Sequence, residues 1–200
     1  MQLLVATRNA HKTREIQQIL GSDFAVSDLS AHPEIPATPE HGKSFEENAM
    51  LKAAGASRYL PGLIVADDSG LEVDALGGAP GIFSARYAGK NSTDQQNIDK
   101  LLRELARVTA NGIQRSARFR CVIALAREGA LLGMFEGAVE GIIADTPRGQ
   151  GGFGYDPVFV PRGFEETFAQ LPAEVKNGIG HRAKAIRALS RKLAAFKPPD

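Results

Sequence analysis

The chain has 200 residues, of which 43% are apolar and 24% charged, a composition typical of a globular protein with a buried core. Its 24 lysines and arginines nearly balance 23 acidic residues, which argues against a general nucleic-acid binder because such proteins carry a basic face. Cys121 is the only cysteine, so an internal disulfide is excluded and a reducing compartment is favoured. The N-terminus lacks a signal-peptide pattern and no apolar run reaches membrane-spanning length. We therefore expect a cytoplasmic protein that binds neither nucleic acid nor membrane.

The first part of the chain alternates apolar runs with helical patterns. In chain order it predicts a strand at 3–6, a helix from Asn9 to about Leu20, a loop at 31–43, a helix from Ser44 to about Tyr59, and a buried strand at 62–66. Asn9 is a good N-cap for the first helix, and Ser44 with Glu47 has the spacing of a capping box. The buried strand is expected to stop at Asp67 and Asp68.

The second part continues the alternation, with two glycine-rich loops. It predicts a loop at 77–81, a helix from Thr93 to about Arg107, strands at 118–126 and 131–139, a loop at 147–154, a strand at 158–160 and an amphipathic helix from about Arg182 to Phe196. Thr93 and Gln96 have the spacing of a second capping box at the start of the first of these helices. Glu128 and Gly129 form the turn of an antiparallel hairpin between the two longer strands. No repeat or linker separates independent domains, so the pattern predicts an α/β fold with a mixed sheet and helices packed on it.

Lys12 is an unusual residue for the first turn of a helix. A cation there opposes the helix dipole, at a cost of a few tenths to about 1 kcal/mol. Free backbone N–H groups and a lysine at a strand-to-helix turn make a good phosphate site, although the spacing is not that of a P-loop. The alternative is an exposed lysine that points into water.

Asp67 and Asp68 are two adjacent carboxylates placed directly after a buried run. A hard cation such as Mg²⁺ explains this placement, since it takes oxygen ligands and bridges to phosphates. Because side chains alternate along a strand, only one of the two is expected to point fully into such a site. The alternative is an Asx turn at Asp68, for which Asp-Ser-Gly is suitable.

The start of the last helix is also basic, with His181 and Arg182 following Gly178 and Gly180, and Lys176 just upstream. Acidic residues are preferred at that end of a helix. Two basic helix starts in a chain of balanced charge favour a polyanionic ligand, whereas a flexible connector with scattered basic residues is the alternative.

Three other enzyme classes are not supported by the residues around their candidate motifs. Residues 149–154 match G-x-G-x-x-G by letter, but Pro147 precedes them and Pro157 follows, so no helix opens there and dinucleotide binding is rejected. The four histidines lack zinc-site spacing, and no serine stands in a G-x-S-x-G elbow. Zinc and serine hydrolases are therefore excluded.

Taken together, the motifs closely resemble the inosine triphosphate pyrophosphatases, the Ham1/RdgB-type non-canonical purine nucleoside triphosphate pyrophosphatases. Six segments in the order and spacing of that family carry the resemblance: Ala6-Thr7-x-Asn9-x-x-Lys12-x-x-Glu15, Glu40-x-Gly42-x-Ser44-Phe45-x-x-Asn48-Ala49-x-x-Lys52-Ala53, Ala66-Asp67-Asp68-Ser69-Gly70-Leu71, Gly77-Gly78-Ala79-Pro80-Gly81-Ile82-x-Ser84-Ala85-Arg86-Tyr87, Gly151-Gly152-Phe153-Gly154-Tyr155-Asp156-Pro157, and Lys176 with His181-Arg182. Each segment is weak alone, but their combination is highly specific and runs nearly end to end.

The resemblance implies a single domain over residues 1–200, with two lobes, a mixed sheet, flanking helices and a substrate cleft between the lobes. It further implies a homodimer, Mg²⁺ as cofactor, and hydrolysis of ITP, dITP and XTP to a nucleoside monophosphate and pyrophosphate. This reaction keeps deaminated purines out of DNA and RNA.

The resemblance also implies roles for individual residues. The metal ligands are Glu40 and Asp68, and Asp68 also accepts a proton from the attacking water. The residues that hold the phosphates are Thr7, Arg8, Asn9, Ala10, His11, Lys12 and Lys52. The remaining substrate contacts are Ser69, Phe153, Gly154, Tyr155, Asp156, Lys176, His181 and Arg182, most of which face the base and sugar. Asp67 is expected to be a secondary ligand or to support the metal site indirectly.

The base-facing residue types suit a 6-keto purine. Phe153 offers a stacking plane, and donors at Lys176 and Arg182 would pair with the 6-keto oxygen, where adenine instead presents an amino group. Leaving such buried donors unpaired costs on the order of 1–3 kcal/mol each, enough to reject ATP. One position departs from the family pattern, because Gly180 stands where a serine usually precedes His-Arg.

Two other functions are compatible with parts of the pattern. The related Maf-type pyrophosphatases act on pyrimidine or modified nucleotides, but the His181-Arg182 pair and residues 153–156 argue against them. A non-catalytic nucleotide sensor would need neither Glu40 nor Asp68. Release of pyrophosphate distinguishes an enzyme from a sensor. A panel of nucleoside triphosphates distinguishes a purine-specific enzyme from one of the Maf type.

Overall fold

A computed structural model describes residues 1–36, 38–109 and 114–196 of the chain. Within these ranges no helix is both long and apolar enough to cross a membrane.

Six strands of the described part of the chain form one mixed sheet, which confirms the predicted α/β class. They are β1 (Gln2–Val5), β2 (Ala25–Asp28), β3 (Ile64–Val73), β4 (Ser116–Arg127), β5 (Ala130–Ile143) and β6 (Phe159–Pro161), in the order β2-β1-β3-β4-β5-β6. β1 pairs in parallel with both β2 and β3, whereas β5 and β6 are antiparallel.

Five α-helices lie within the described ranges. They are α1 (Ala10–Leu20), α2 (Phe45–Ala56), α3 (Asp94–Thr109), α4 (Ala173–Ile179) and α5 (His181–Leu193). The predicted caps are confirmed: Ser44 Oγ accepts from Glu47 N at 3.2 Å, and Thr93 and Gln96 satisfy each other's backbone N–H groups at 3.2 and 2.8 Å. α4 and β2 were not predicted.

The predicted hairpin is also confirmed. A two-residue turn at Glu128 and Gly129 joins β4 to β5, so these neighbouring strands run in opposite directions. Both turn residues have positive φ, 54° and 81°, as a type I′ turn requires. Glycine meets this requirement without strain at the second position.

The prediction that β3 stops at Asp67 is wrong, because the strand continues through both carboxylates to Val73. The Asx-turn alternative at Asp68 is wrong for the same reason. Asp67 and Asp68 are tolerated inside a buried strand because each has a cationic partner, as described below. The consequence is that β3 presents two buried carboxylates on successive residues.

The chain forms two compact units, in agreement with the two lobes that the family resemblance implies. The first comprises Met1–Asp68, Cys121–Gly137 and the described chain from His181 onward, and the second comprises Ser69–Arg120 and Ala138–Gly180. Each unit has its own apolar core. The first core includes Leu3, Val5, Ile16, Phe24, Val65, Cys121, Ile123, Leu125, Ala185, Ile186, Leu189 and Leu193. The second includes Leu71, Val73, Ile98, Leu101, Leu105, Ala117, Phe119, Val139, Ile143, Val158, Phe159 and Phe168.

Candidate active site

The start of α1 combines a capped helix N-terminus with a lysine. Asn9 is its N-cap, and the Asn9 side-chain oxygen accepts from His11 N at 3.0 Å and Lys12 N at 3.3 Å. The hydroxyl of Thr7 accepts from Asn9 N at 3.1 Å, which fixes the turn between β1 and α1. No acidic residue lies in the first turn of α1. An anion is therefore favoured at this helix end.

Arg8 has a partner that the sequence did not suggest. Its guanidinium donates to the backbone oxygen of Ile35 at 2.7 Å and more distantly to that of His32 at 3.4 Å. Arg8 thereby ties the strand-to-helix turn to the proline-rich segment that precedes Glu40. Ala10 and His11 are exposed at the first two helical positions.

Asp67 lies at the centre of a buried ion-pair cluster in the first unit. Lys12 Nζ is 3.0 Å from Asp67 Oδ1, and Arg182 Nε and Nη2 donate to Asp67 Oδ2 at 3.2 and 3.0 Å. The other end of the Arg182 guanidinium pairs with Glu15 of α1. The Asp67 and Arg182 side chains are each only 1% exposed, whereas that of Lys12 is 17% exposed.

The charges of this cluster set the ionisation of Asp67. Burial alone would raise the pKa of the Asp67 carboxyl, but Lys12, Arg182 and Lys52 together hold that pKa well below its usual range. Burial likewise opposes the charged form of Arg182, but Glu15 and Asp67 outweigh it and raise its pKa. Both groups are therefore charged near neutral pH.

Asp68 has a different set of partners, all on α2 or just before it. Lys52 Nζ is 2.8 Å from Asp68 Oδ1, and Asn48 Nδ2 donates to Asp68 Oδ2 at 3.2 Å. Asn48 and Lys52 are four residues apart, so they share one helix face. Lys52 Nζ also lies 3.2 Å from Glu40 Oε1.

The ionisation of Asp68 differs from that of its neighbour. Burial is the largest influence and raises the pKa of Asp68, Lys52 opposes this, and the Glu40 carboxylate adds to it. Burial tends to lower the pKa of Lys52, but Asp68, Asp67 and Glu40 outweigh it, so that pKa is raised. Lys52 thus stays protonated beside a carboxylate that is easier to protonate than an ordinary aspartate.

The Glu40 and Asp68 carboxylates fit a hard divalent cation. Their oxygens converge on a common positive charge, the Lys52 ammonium, at 3.2 and 2.8 Å. Magnesium commonly binds through one or two carboxylates together with substrate phosphates. Among the described residues there is no cluster of three or more histidine, cysteine or acidic side chains arranged for a metal, so these two carboxylates would depend on the substrate for further ligands.

The second unit holds a separate aromatic and charged cluster. Lys176 of α4 pairs with Asp156 Oδ2 at 2.6 Å, and its ammonium lies 5.0 Å from the ring centroid of Phe153. Asp156 also accepts from Phe153 N at 2.9 Å. A Cβ on Gly152 would lie 2.0 Å from Asp156 Oδ2, so only glycine allows the carboxylate this close. Lys176 is therefore held against an aromatic plane.

The loop around this cluster is anchored at two further points. Gly154 N donates to Asp94 Oδ2 at 2.7 Å, and the Tyr155 hydroxyl donates to the backbone oxygen of Ser84 at 2.9 Å. Tyr155 and Asp156 are both buried. The loop is accordingly fixed by side chains from distant parts of the sequence.

The structure brings the predicted residues together in two groups. The first unit gathers Lys12, Glu40, Lys52, Asp68 and Arg182, and the second gathers Phe153, Gly154, Tyr155, Asp156 and Lys176. Ser69 follows Asp68 within β3, and His181 is buried at the first position of α5. Their contacts with a substrate stay predictions.

The sequence reasoning missed two supporting acids. Glu15 was named only as a motif position. It lies three residues after Lys12 on α1, so the spacing already indicated that the two side chains share one helix face. Asp94 gave no signal, because its contact with Gly154 spans 60 residues of sequence.

Comparison with known proteins gives a consistent result. The model of the Ham1 family matches residues 3–192. Relatives named dITP/XTP pyrophosphatase include one from Shouchella clausii, 46% identical over 197 residues, and one from Geobacter sulfurreducens, 48% identical over 192 residues; the matches cover 98% and 96% of both chains, respectively. Among solved structures, the Staphylococcus aureus Ham1 protein is 42% identical with a TM-score of 0.85 over 98% of this chain and 100% of its own. A HAM1 protein from Coxiella burnetii is 40% identical with a TM-score of 0.87 over 98% and 99%.

Proposed function

This chain belongs to the Ham1 family, and we propose that it hydrolyses the non-canonical purine nucleoside triphosphates ITP, dITP and XTP to the monophosphate and pyrophosphate. In a cell this reaction would remove deaminated purines before they enter DNA or RNA. The observation that carries the proposal is the convergence of the Glu40 and Asp68 carboxylates on the Lys52 ammonium, in a chain whose relatives are named dITP/XTP pyrophosphatase.

The phosphates are bound by cations and N–H groups of the first unit. Residues 7–12 offer the N-terminus of α1, and Lys12 adds an ammonium that stays partly exposed. Lys52 adds a second ammonium beside Asp68. Such groups neutralise the charge that develops on the leaving pyrophosphate, which is the main task in this class of reaction.

Magnesium is the proposed cofactor, with Glu40 and Asp68 as its protein ligands. When bound, it would neutralise phosphate charge and polarise the phosphorus–oxygen bonds. The two carboxylates supply the hard oxygen ligands this ion prefers.

Asp68 is the proposed proton acceptor. Its buried carboxylate, with a raised pKa, takes a proton from the attacking water more readily than an ordinary aspartate does. Asn48 and Lys52 each hold one of its oxygens, which fixes the orientation of the carboxylate.

The second cluster is proposed to bind the base. Phe153 stacks on the purine, and Lys176 donates to the 6-keto oxygen while Asp156 holds its ammonium. An ammonium has three donors, so the bond to Asp156 leaves others for a ligand. The further proposed substrate contacts are Ser69, Gly154, Tyr155 and His181, and Arg182 would reach the substrate only by exchanging one of its bonds to Asp67 and Glu15.

The assembly and setting are proposed on the family resemblance. Residues 1–200 form one catalytic domain, since the family match includes residues of both compact units. The domain is proposed to be a cytoplasmic homodimer, and light scattering measures the dimer directly.

Product analysis tests the proposed reaction. Purified protein is incubated with XTP with and without Mg²⁺, and products are resolved by ³¹P NMR. Equal amounts of XMP and pyrophosphate, formed only with the metal, are expected. Release of inorganic phosphate with XDP would show cleavage of the other anhydride bond and refute the proposal, as would binding of XTP with no products.

A further inference from the structure

The two adjacent carboxylates of β3 are engaged by different elements. Asp68 contacts Asn48 and Lys52 of α2, whereas Asp67 contacts Lys12 of α1 and Arg182 of α5. Alternation of side chains along a strand explains the separation. The proposed chemistry uses Asp68 and leaves open why a second carboxylate is buried beside it.

Asp67 divides its two oxygens between two cations. Oδ1 faces the Lys12 ammonium at 3.0 Å, and Oδ2 takes both Nε and Nη2 of Arg182 at 3.0–3.2 Å. The guanidinium is itself fixed at its other end by Glu15. Charge-assisted bonds with two points of attachment are the strong and directional ones. Asp67 is therefore held rigidly and can in turn hold Lys12.

Lys12 is the member of this cluster that keeps access to solvent. Its side chain is 17% exposed, against 1% for Asp67 and 1% for Arg182. A lysine side chain has four rotatable bonds, so without a partner its ammonium samples many positions. An ammonium carries three N–H donors, so the ion pair with Asp67 leaves donors for phosphate oxygens.

We infer that Asp67 is a positioning residue that holds the Lys12 ammonium at the phosphate end of the site, and that it does not itself contact the substrate. This inference rests on the proposed hydrolysis of a triphosphate. An anchored cation stabilises the transition state more than the bound substrate, because it needs no reorganisation when charge develops. Loss of the anchor should therefore lower kcat, while loss of a negative charge near a polyanion should leave KM unchanged or lower it.

A double-mutant cycle between Asp67→Asn and Lys12→Met tests the inference. Single-turnover rates with excess enzyme, XTP and Mg²⁺ keep slow variants measurable. Asp67→Asn is expected to lower the rate at least tenfold without raising KM. In the Lys12→Met background the same substitution is expected to change the rate less than twofold, because its target is gone.

Glu15→Gln is the matched control, since it also removes one carboxylate from Arg182 but leaves the Asp67–Lys12 pair. Its effect is expected to be equal in the wild-type and Lys12→Met backgrounds. If Asp67→Asn also has equal effects in the two backgrounds, or leaves the rate unchanged, the inference is overturned.

Folding and function are separated by two further measurements. Circular dichroism and thermal melting identify a variant that does not fold; in that case Asp67→Glu, which keeps the charge but moves it by one methylene, replaces Asp67→Asn in the cycle. It is expected to lower the rate at least threefold in the wild-type background and less than 1.5-fold with Lys12→Met, and equal losses would overturn the inference. If the wild-type protein releases no pyrophosphate, the proposed function is refuted. If it releases pyrophosphate but the effects of the Asp67 and Lys12 substitutions are additive, only this inference is refuted.

Discussion

Two neighbouring aspartates of β3 have pKa values moved in opposite directions. Two cations in direct contact hold the pKa of Asp67 low, whereas burial raises that of Asp68, which has one lysine and a nearby Glu40 carboxylate. Pairs of titratable groups with such contrasting surroundings often have separate chemical roles. A permanently charged Asp67 suits the fixing of cations, and a more basic Asp68 suits the acceptance of a proton.

Replacement of the proton acceptor is the sharpest test at this scale. Asp68→Asn should lower kcat by about 10³-fold, because an amide does not accept the proton of the attacking water. Asp145→Asn is the control variant, because it changes a carboxylate that is 89% exposed. This variant should keep the wild-type rate. Steady-state pyrophosphate release measures both. Near-normal kcat in Asp68→Asn would remove this residue from the role of base.

At the scale of elements, the end of α4 is the place where this chain departs from the family pattern. Gly180 follows α4 and donates its N–H to the backbone oxygen of Lys176 at 2.8 Å. A Cβ at Gly180 would lie 2.8 Å from that same oxygen, which is closer than side chains normally approach. A serine here would therefore displace the last turn of α4.

Gly180→Ser is accordingly expected to lower the melting temperature, by a few degrees for a cost of about 1 kcal/mol, while XTP stays preferred over GTP. Gly178→Ser is the matched control, since a Cβ there meets no atom within 4 Å and should cost less. Differential scanning fluorimetry and a two-substrate assay measure the outcome. A reversed substrate order, or a larger loss in Gly178→Ser, would contradict this account of α4.

Structural features could be predicted from the sequence where the residues that define them lie close together along the chain. The Asn9 cap, the Thr93–Gln96 capping box and the hairpin turn each depend on residues within a few positions, and all are confirmed. β3 was predicted too short because a charged pair normally ends a buried strand. Its continuation depends on Lys12, Lys52 and Arg182, whose pairing with β3 no local pattern encodes.

The sequence predicted which residues belong to the candidate site, but not which of them pair with one another. The family motifs named Lys12, Lys52, Asp68 and Lys176, and the structure gives these residues charged partners. The partners themselves follow from the fold, since the Arg182–Asp67 contact spans 115 residues and the Arg182–Glu15 contact spans 167.

For the whole molecule, the reactivity of Cys121 measures how often the core of the first unit opens to solvent. Burial raises the pKa of its thiol from 9.0 to about 12. Since the thiolate is the reactive form, the thiol at pH 8 should be alkylated by iodoacetamide at least about 10³-fold more slowly in the native protein than in urea. Mass spectrometry after timed quenching gives both rates. Comparable rates would show that the core opens readily, which the packing around Cys121 does not allow.

A substrate panel tests most directly whether this chain is a pyrophosphatase selective for non-canonical purines. Pyrophosphate release with Mg²⁺ is measured for ITP, dITP, XTP, ATP, GTP, CTP, UTP and dTTP under identical conditions. The kcat/KM values for ITP, dITP and XTP are expected to be at least about 10²-fold above that for ATP, since adenine leaves the base-facing donors unpaired. Low activity on GTP and the pyrimidines is also expected. Equal activity on ATP, or a preference for pyrimidine triphosphates, would contradict this selectivity.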